Sequence, residues 1–156
     1  MKLYLVQHGK AKTKDQSPDR PLTDEGKAAS EKTACFAAEQ AGVSVDAVFH
    51  SSKIRAQETA EIMAAYLCPA KGVSEEKDLS PNDDPKAWAA RLEERLEDIM
   101  LVGHLPHFSK LASLLLAGSD EKFSIDFKNS GIVCLRRDDN RNWLLSWLVT
   151  PEILGE

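Results

Sequence analysis

Near its start the chain carries an apolar run that ends in a histidine and a glycine, Lys-Leu-Tyr-Leu-Val-Gln-His-Gly at residues 2–9. The run is rich in β-forming residues, which is typical of a short buried strand. Two later runs, at 45–50 and 99–102, have the same character, and Ser-Ser at 51–52 and Gly-His at 103–104 follow them. We therefore expect three buried strands, each ending in polar residues or glycine.

Helical segments separate these strands. Thr23 is a typical N-cap because acidic residues follow it, and it predicts a helix to about Gln40 with a stop at Gly42. A second helix is expected from about residue 53 to 66, capped by Ser51 or Ser52, and a fourth from about 107 to 116. Between them, Asp84-Pro85 begins a helix with one apolar face, formed by Trp88, Leu92 and Leu96.

Strands that alternate with helices predict an α/β fold. We expect a three-layer α/β/α sandwich with a mostly parallel central sheet of five or six strands. The last two apolar runs, 132–135 and 143–149, flank the turn-forming residues 138–140 and predict a C-terminal antiparallel hairpin. The length of 156 residues suits one core, so we expect a single domain over 1–156.

Composition excludes several classes of protein. Charged residues make up 29% and hydrophobic residues 42%, as in soluble globular proteins. The net charge of −5 argues against a nucleic-acid partner, and no apolar run approaches the roughly 20 residues that span a membrane. The first apolar stretch is too short for a signal peptide, and three widely spaced cysteines favour reduced thiols, so we expect a cytoplasmic protein. No residues have metal-ligand spacing, and we expect neither a metal nor another cofactor.

The candidate site lies where the strands end. Ligands of such sheets bind beyond the carboxyl ends of the strands, where His8, Arg55 and His104 would meet. An arginine and a helix N-terminus favour a phosphoryl group, and a neutral imidazole can attack phosphorus and hold that group covalently. The nearby arginine also disfavours imidazole protonation. The sequence therefore predicts a phosphoryl-group site.

Four segments, in order, carry a family resemblance. Residues 2–9 stand where the family has a strand followed by Arg-His-Gly, and Arg-Pro-Leu-Thr at 20–23 matches its residues before the first helix. Ser-Ser-Lys-Ile-Arg-Ala-Gln-Glu-Thr-Ala at 51–60 and Val-Gly-His-Leu-Pro at 102–106 match its two further motifs. Over nearly its whole length the chain resembles the histidine phosphatase superfamily, which has the phosphoglycerate-mutase-like fold. Within it, the chain is most similar to the small SixA branch of phosphohistidine phosphatases.

The resemblance implies a role for each matched residue. His8 would be the phosphorylated nucleophile, and Arg55 and His104 would bind the phosphoryl oxygens. Arg20 would line the mouth of the site and help to hold phosphate. Further candidates for contact with phosphate or substrate are Gln7, Gly9, Lys10, Ser52 and Ser130. For Ser130, a role in a turn is an equal alternative.

The implied function is that of a phosphohistidine phosphatase with a covalent phosphohistidine intermediate. Its partner would be a histidine phosphotransfer domain or phosphocarrier in signalling. Larger members have an acidic proton donor in an inserted segment, for which this chain has no room. A phosphohistidine needs such a donor less than an ester does, because its leaving imidazole has a conjugate-acid pKa of about 6.5. The alternatives are a phosphatase of small phosphoesters and a weakly active or inactive phosphate-binding protein.

Two positions depart from the family pattern. Gln7 replaces an arginine, and the loss of one preorganised donor to a transition state typically costs on the order of 100- to 1000-fold in rate. Lys10 stands where an acid is frequent, and we expect it partly to replace that arginine. A Lys10 amine directed away from His8 would contradict this expectation.

Other polar residues near the motifs have more ordinary expected roles. His107 is expected to cap a helix or face solvent, with contact to the substrate as the alternative, and His50 is expected to lie buried behind the site. Four acidic side chains are expected to face solvent, namely Glu58, Glu75, Glu76 and Asp78.

Overall fold

The computed structural model describes residues 1–155. Strands and helices alternate along this range, and a short 3-10 helix follows the last strand. The elements are β1 (Lys2–Gln7), α1 (Asp24–Glu39), β2 (Ala47–His50), α2 (Ile54–Leu67), β3 (Val73–Glu75), α3 (Pro85–Glu93), β4 (Ile99–Gly103), α4 (His107–Ala117), β5 (Ile132–Arg137), β6 (Trp143–Val149) and the 3-10 helix Pro151–Leu154. Within residues 1–155, no helix is both long and apolar enough to cross a membrane.

One six-stranded sheet forms the middle of the molecule, in the order β3-β2-β4-β1-β5-β6. The strands β3, β2, β4 and β1 are parallel. The strand β5 pairs antiparallel with β1 on one side and with β6 on the other. This confirms the α/β fold, the mostly parallel sheet and the C-terminal hairpin. Because β2, β4 and β1 are adjacent, their carboxyl ends place residues 51, 104 and 8 at one edge of the sheet.

A hydrophobic core covers each face of the sheet. On one face, α3 and α4 bury side chains such as Trp88 and Phe108 against the strands. On the other face, α1 and α2 bury smaller residues, including several alanines and Met63. Side chains of β1 alternate between the two cores, with Leu3 and Leu5 in the first and Tyr4 and Val6 in the second. The expected three layers are therefore present.

Most predicted helix boundaries are confirmed. The Thr23 side chain accepts a hydrogen bond from the Gly26 N–H, and Asp84 accepts one from the Lys86 N–H. Gly118 ends α4 in the left-handed conformation, with φ of 75°.

Two expectations about the helices are wrong. The N-cap of α2 is Lys53, which makes no side-chain capping bond, because the Ser51 hydroxyl bonds a histidine and Ser52 is exposed. The apolar face of α3 ends at Leu92, because the helix stops at Glu93 and Leu96 is 78% exposed.

A close contact between the sheet and α4 requires a glycine at the end of β4. A side chain at Gly103 would place its Cβ only 2.8 Å from the ring of Phe108. The bare backbone lets Phe108 pack directly on the strand. A larger residue at 103 would therefore displace Phe108, which lies in the first turn of α4 close to His104.

Candidate active site

Two histidines face each other at the carboxyl edge of the sheet. His8 follows β1 and His104 follows β4, and their ring centroids lie 4.9 Å apart at an interplanar angle of 53°. The His8 N–H donates to the carbonyl of Gly103 over 3.0 Å, so the parallel pairing of β1 and β4 sets this spacing. The structure thus brings together the two histidines that the sequence singles out.

Hydrogen bonding fixes the tautomer of His8. Its Nδ1 lies 2.7 Å from the carbonyl oxygen of Gly9, and since a carbonyl only accepts, Nδ1 carries the proton. The lone pair therefore resides on Nε2. Burial lowers the His8 pKa to about 4, and the positive charges of Arg55 and Arg20 contribute. At neutral pH the ring is uncharged and Nε2 is available as a nucleophile.

His104 is held in place by a serine. The Ser51 hydroxyl lies 2.6 Å from the His104 Nε2 and also accepts a weak bond from the Lys53 N–H. Burial lowers the His104 pKa to about 3, with His8 and Arg55 as further causes. Sequence reasoning treats Ser51 only as a helix cap and misses this contact. Its position directly after a buried strand, level with the histidine motif, is the signal that points to it.

Arg55 lies in the first turn of α2, and hydrogen bonds through Thr59 link its backbone to Gly9, the residue after His8. The Thr59 hydroxyl accepts from the Gly9 N–H over 2.9 Å and donates to the Arg55 carbonyl over 2.8 Å. The Arg55 Nε is buried without a hydrogen-bond partner in the described part of the chain. Burial and the charge of Arg20 lower the Arg55 pKa. A half-buried guanidinium whose Nε has no partner among the described residues is suited to bind an anion.

Arg20 reaches the site from the loop between β1 and α1. Its backbone is left-handed, with φ of 52°, and its Nε donates to the carbonyl of Lys12 over 3.1 Å. Arg20 and Arg55 line one open cleft of about 820 Å³, together with Ser52. The expected placement of Arg20 at the mouth is consistent with this geometry.

Glu58 ties this loop to α2, which sequence reasoning does not anticipate. Its Oε1 accepts from the Leu22 N–H over 2.8 Å, and the side chain is half-buried instead of facing solvent. Glu76 and Asp78 keep 38% of each side chain exposed and also lie within ion-pair distance of Arg91. These contacts assign the acidic residues to loop anchoring.

Ser130 lies behind the site. Its hydroxyl is buried and pairs with the Ser30 hydroxyl over 2.8 Å, and its N–H donates to the Gln7 carbonyl. A Cβ at Gly9 would meet both hydroxyls at 2.9–3.0 Å, so Gly9 is needed for this packing. The turn role of Ser130 is the one that the geometry favours. The neighbouring Asn129, which sequence reasoning does not single out for a contact, donates from Nδ2 to the His8 carbonyl.

Lys10 points away from the histidines, which contradicts the expected compensation for Gln7. Its amine pairs with Glu25 over 2.8 Å on the exposed surface of α1. The backbone causes this, because Thr23 holds the Lys10 carbonyl with both its N–H and its hydroxyl. Gln7 itself has a buried Oε1 without a hydrogen-bond partner in the described residues.

His107 is a second correction. It is fully buried as the first residue of α4, with its ring 5.7 Å from that of Phe108, so it neither caps the helix nor faces solvent. Burial lowers its pKa. His50 is buried as expected, and its Nδ1 donates to the Ser51 carbonyl over 2.8 Å.

The assembled groups suit phosphoryl transfer. A neutral imidazole presents a free Nε2, a second imidazole lies beside it, and two arginines supply positive charge. The backbone N–H groups at the start of α2 add donors for an anion. Such a site can form a bond to phosphorus and stabilise the negative charge on the three transferring oxygens.

Comparison with known proteins places this chain in a family. Residues 3–80 match the model of the histidine phosphatase superfamily (branch 1). An uncharacterized protein of Picosynechococcus sp. is 32% identical, over 96% of this chain and 99% of that protein. The chain therefore belongs to the histidine phosphatase superfamily.

Two solved phosphatase structures resemble the fold closely. The protein histidine phosphatase SixA complexed with tungstate superposes with a TM-score of 0.87 at 26% identity, covering 99% of this chain and 100% of that one. The α-ribazole phosphatase from Shigella flexneri superposes with a TM-score of 0.74 at 18% identity, covering 97% of each chain. The second likeness shows a shared fold only.

Proposed function

We propose that this protein is a phosphohistidine phosphatase that uses His8 as its nucleophile. The observation that carries the proposal is the fixed state of His8, uncharged and protonated on Nδ1, beside His104 and Arg55. The likeness to SixA supports the choice of substrate.

The proposed reaction has two steps. In the first, the His8 Nε2 forms a bond to phosphorus while the bond from phosphorus to the substrate nitrogen breaks, and its electron pair leaves with the substrate imidazole. In the second, water attacks the phosphoryl group and His8 leaves with the electron pair of its bond to phosphorus. Arg55, Arg20 and His104 are assigned to the phosphoryl oxygens. The arginines stabilise the negative charge, whereas the uncharged His104 ring acts as a hydrogen-bond donor from the Nε2 that lies against Ser51.

The open cleft agrees with a protein substrate. Arg20 and Arg55 lie in a groove of about 820 Å³ that is accessible from solvent. A histidine that projects from a folded partner would bring its phosphoryl group to Arg20 and Arg55 with the partner's backbone still attached, and an open groove leaves room for that backbone. An imidazole whose ring is protonated leaves without further help, so the step needs no carboxylic acid from the enzyme.

The first test measures phosphate release from a phosphohistidine peptide by the wild type and by His8→Ala. Release above the variant's background, together with acid-labile phosphate trapped on the wild type alone, is the expected result. His50→Gln serves as a control, because this histidine is buried, its Nδ1 donates to the Ser51 carbonyl, and it is not assigned to the phosphoryl site. Equal release by the wild type and His8→Ala would refute the proposal.

A phosphatase of small phosphoesters is the second candidate. An α-ribazole phosphatase has the same fold, which is the reason to test this function beside the first. Turnover of alkyl phosphates at a higher kcat/KM than phosphohistidine peptides would select this function. An aryl phosphate does not discriminate, because its leaving group is good enough to depart without a general acid.

A further inference from the structure

The cleft that Arg20 and Arg55 line contains further positive charge. Its walls include four cationic side chains, two acidic side chains, and polar or apolar residues between them. The charged members are Lys14, Asp19, Arg20, Lys53, Arg55 and Asp83. Arg20 and Arg55 already belong to the proposed phosphoryl site, which leaves two lysines without an assigned role.

These two lysines are free to bind a ligand. Lys14 and Lys53 are exposed, and neither pairs with a carboxylate in the described part of the chain. Lys53 is the N-cap of α2, two residues before Arg55, and its charge contributes to the lowered pKa of His104. Lys53 is therefore close to the phosphoryl site, and its exposed side chain is not among the groups assigned to the phosphoryl oxygens.

The two aspartates of the cleft do not neutralise the lysines. The Asp83 carboxylate accepts the N–H of Ser80 over 2.9 Å, which holds it in a tight turn. Asp19 is exposed on the loop that carries Arg20. The cleft as a whole keeps a net positive charge on a chain whose net charge is −5. An acidic partner is thus attracted to this groove and repelled by the remaining surface.

We propose that Lys14 and Lys53 bind acidic residues that flank the phosphohistidine of a protein substrate. The inference rests on the proposed function and adds the chemistry of the partner, a short acidic segment beside the modified histidine. A local acidic segment fits better than a nucleic acid, because a long polyanion would extend over the negatively charged surroundings.

The test compares two phosphohistidine peptides that differ only in their flanks, one with glutamates and one with glutamines. At low salt the wild type should favour the acidic peptide by about 3- to 10-fold in kcat/KM, through KM, and added salt should remove the preference. The double variant Lys14→Met/Lys53→Met should lose it, while its kcat/KM for an aryl phosphate stays unchanged.

A matched double variant, Lys27→Met/Lys71→Met, removes the same charge from exposed positions outside the cleft and should keep the preference. Equal kcat/KM for both peptides with the wild type would overturn the inference. The inference would also be overturned if Lys14→Met/Lys53→Met lowered kcat/KM for the aryl phosphate as much as for the peptides, because the lysines would then belong to the phosphoryl site.

Binding of the unphosphorylated acidic peptide, followed by fluorescence anisotropy, separates this inference from the proposed function. Suppose the wild type hydrolyses alkyl phosphates and neither peptide. The proposed function then fails, yet peptide binding that depends on Lys14 and Lys53 would still support an acidic partner. Binding that is equal in all variants, or matched by an oligonucleotide of the same charge, would overturn it.

Discussion

Burial of the two facing histidines makes the stability of the protein depend on pH. His104 is 1% exposed and has a pKa of about 3, against about 6.5 in an unfolded chain. Between these values the unfolded chain binds more protons than the native one, so the free energy of unfolding falls as pH falls. His8 acts in the same direction, with a pKa of about 4.

His104→Gln should reduce this loss of stability in acid. Glutamine can still bond the Ser51 hydroxyl but does not titrate. From pH 7.5 to 5 the wild type should lose about 2 kcal/mol more unfolding free energy than the variant. Urea titrations at both pH values measure this, and an equal loss in both proteins would contradict the lowered pKa.

Gln7→Arg should raise turnover. Gln7 presents a buried, unpartnered amide oxygen at the position where the family has an arginine. Since Lys10 is paired with Glu25, it does not supply the charge of the missing arginine. We expect kcat to rise by about 10- to 100-fold. This is less than the full effect of one oxyanion donor, because the longer arginine side chain needs room. Assays with an aryl phosphate measure the change, and Gln7→Leu, which has no donor, is the control. Unchanged or lower turnover in a folded Gln7→Arg variant would refute a weakened-donor account.

The residues of the site differ in how far the sequence reveals them. His8, Arg55 and His104 follow strands in a recurring pattern, so their meeting at one edge is predictable from strand order. The direction of a long side chain is not, because local partners decide it: Lys10 turns to Glu25. The role of Ser51 also depends on a partner 53 residues away in the chain.

At the scale of elements, the loop that carries Arg20 is positioned by α2. The hydrogen bond from the Leu22 N–H to Glu58 crosses from the loop to the helix, and Ala11 and Leu22 form an isolated bridge within the loop. Glu58→Ala should free the loop and weaken phosphate or tungstate binding by about 3- to 10-fold. Inhibition constants measure the effect. Glu58→Gln keeps an acceptor and should bind as the wild type does; equal weakening in both variants would point to the charge instead.

Helix boundaries show the same division between local and distant causes. Thr23 and Asp84 cap their helices through bonds to residues two or three positions away, so local sequence predicts them. The end of α3 is not predictable from the Trp88, Leu92 and Leu96 spacing. Chain direction changes at Glu94, whose N–H bonds the Arg91 carbonyl, and the loop then leads into β4. The four-residue spacing of apolar side chains therefore extends beyond the end of the helix.

At the scale of the whole molecule, the C-terminal hairpin completes the sheet beside the site. The site end of β1 pairs with the start of β5, where Val6 faces Ile132, and the opposite end pairs Lys2 with Arg136. The hairpin thus reaches from the site edge to the far edge of the sheet. Sequence patterns predict the two strands of the hairpin. That the hairpin lies next to β1 is seen only in the packing of both cores.

Arg137 joins this hairpin to α3 at the edge opposite the site. Its buried guanidinium donates to the carbonyls of Leu92 and Arg95 and lies 5.4 Å from the ring centroid of Trp143. Arg137→Met removes both of these hydrogen bonds, and only the Leu92 carbonyl keeps a second donor, the Arg95 N–H. The variant should lower the free energy of unfolding by about 2–4 kcal/mol in urea titrations.

The same variant should keep its kcat/KM, because Arg137 lies far from the site. Its backbone N–H donates to the Met1 carbonyl at the amino end of β1, whereas His8 follows the carboxyl end of that strand. Arg136→Met is the matched control, an exposed arginine on the same strand whose loss should change stability by less than about 0.5 kcal/mol. A drop in kcat/KM for Arg137→Met under conditions where it remains folded would mean that the hairpin transmits strain to the histidine pair, and that the two edges of the sheet are not independent.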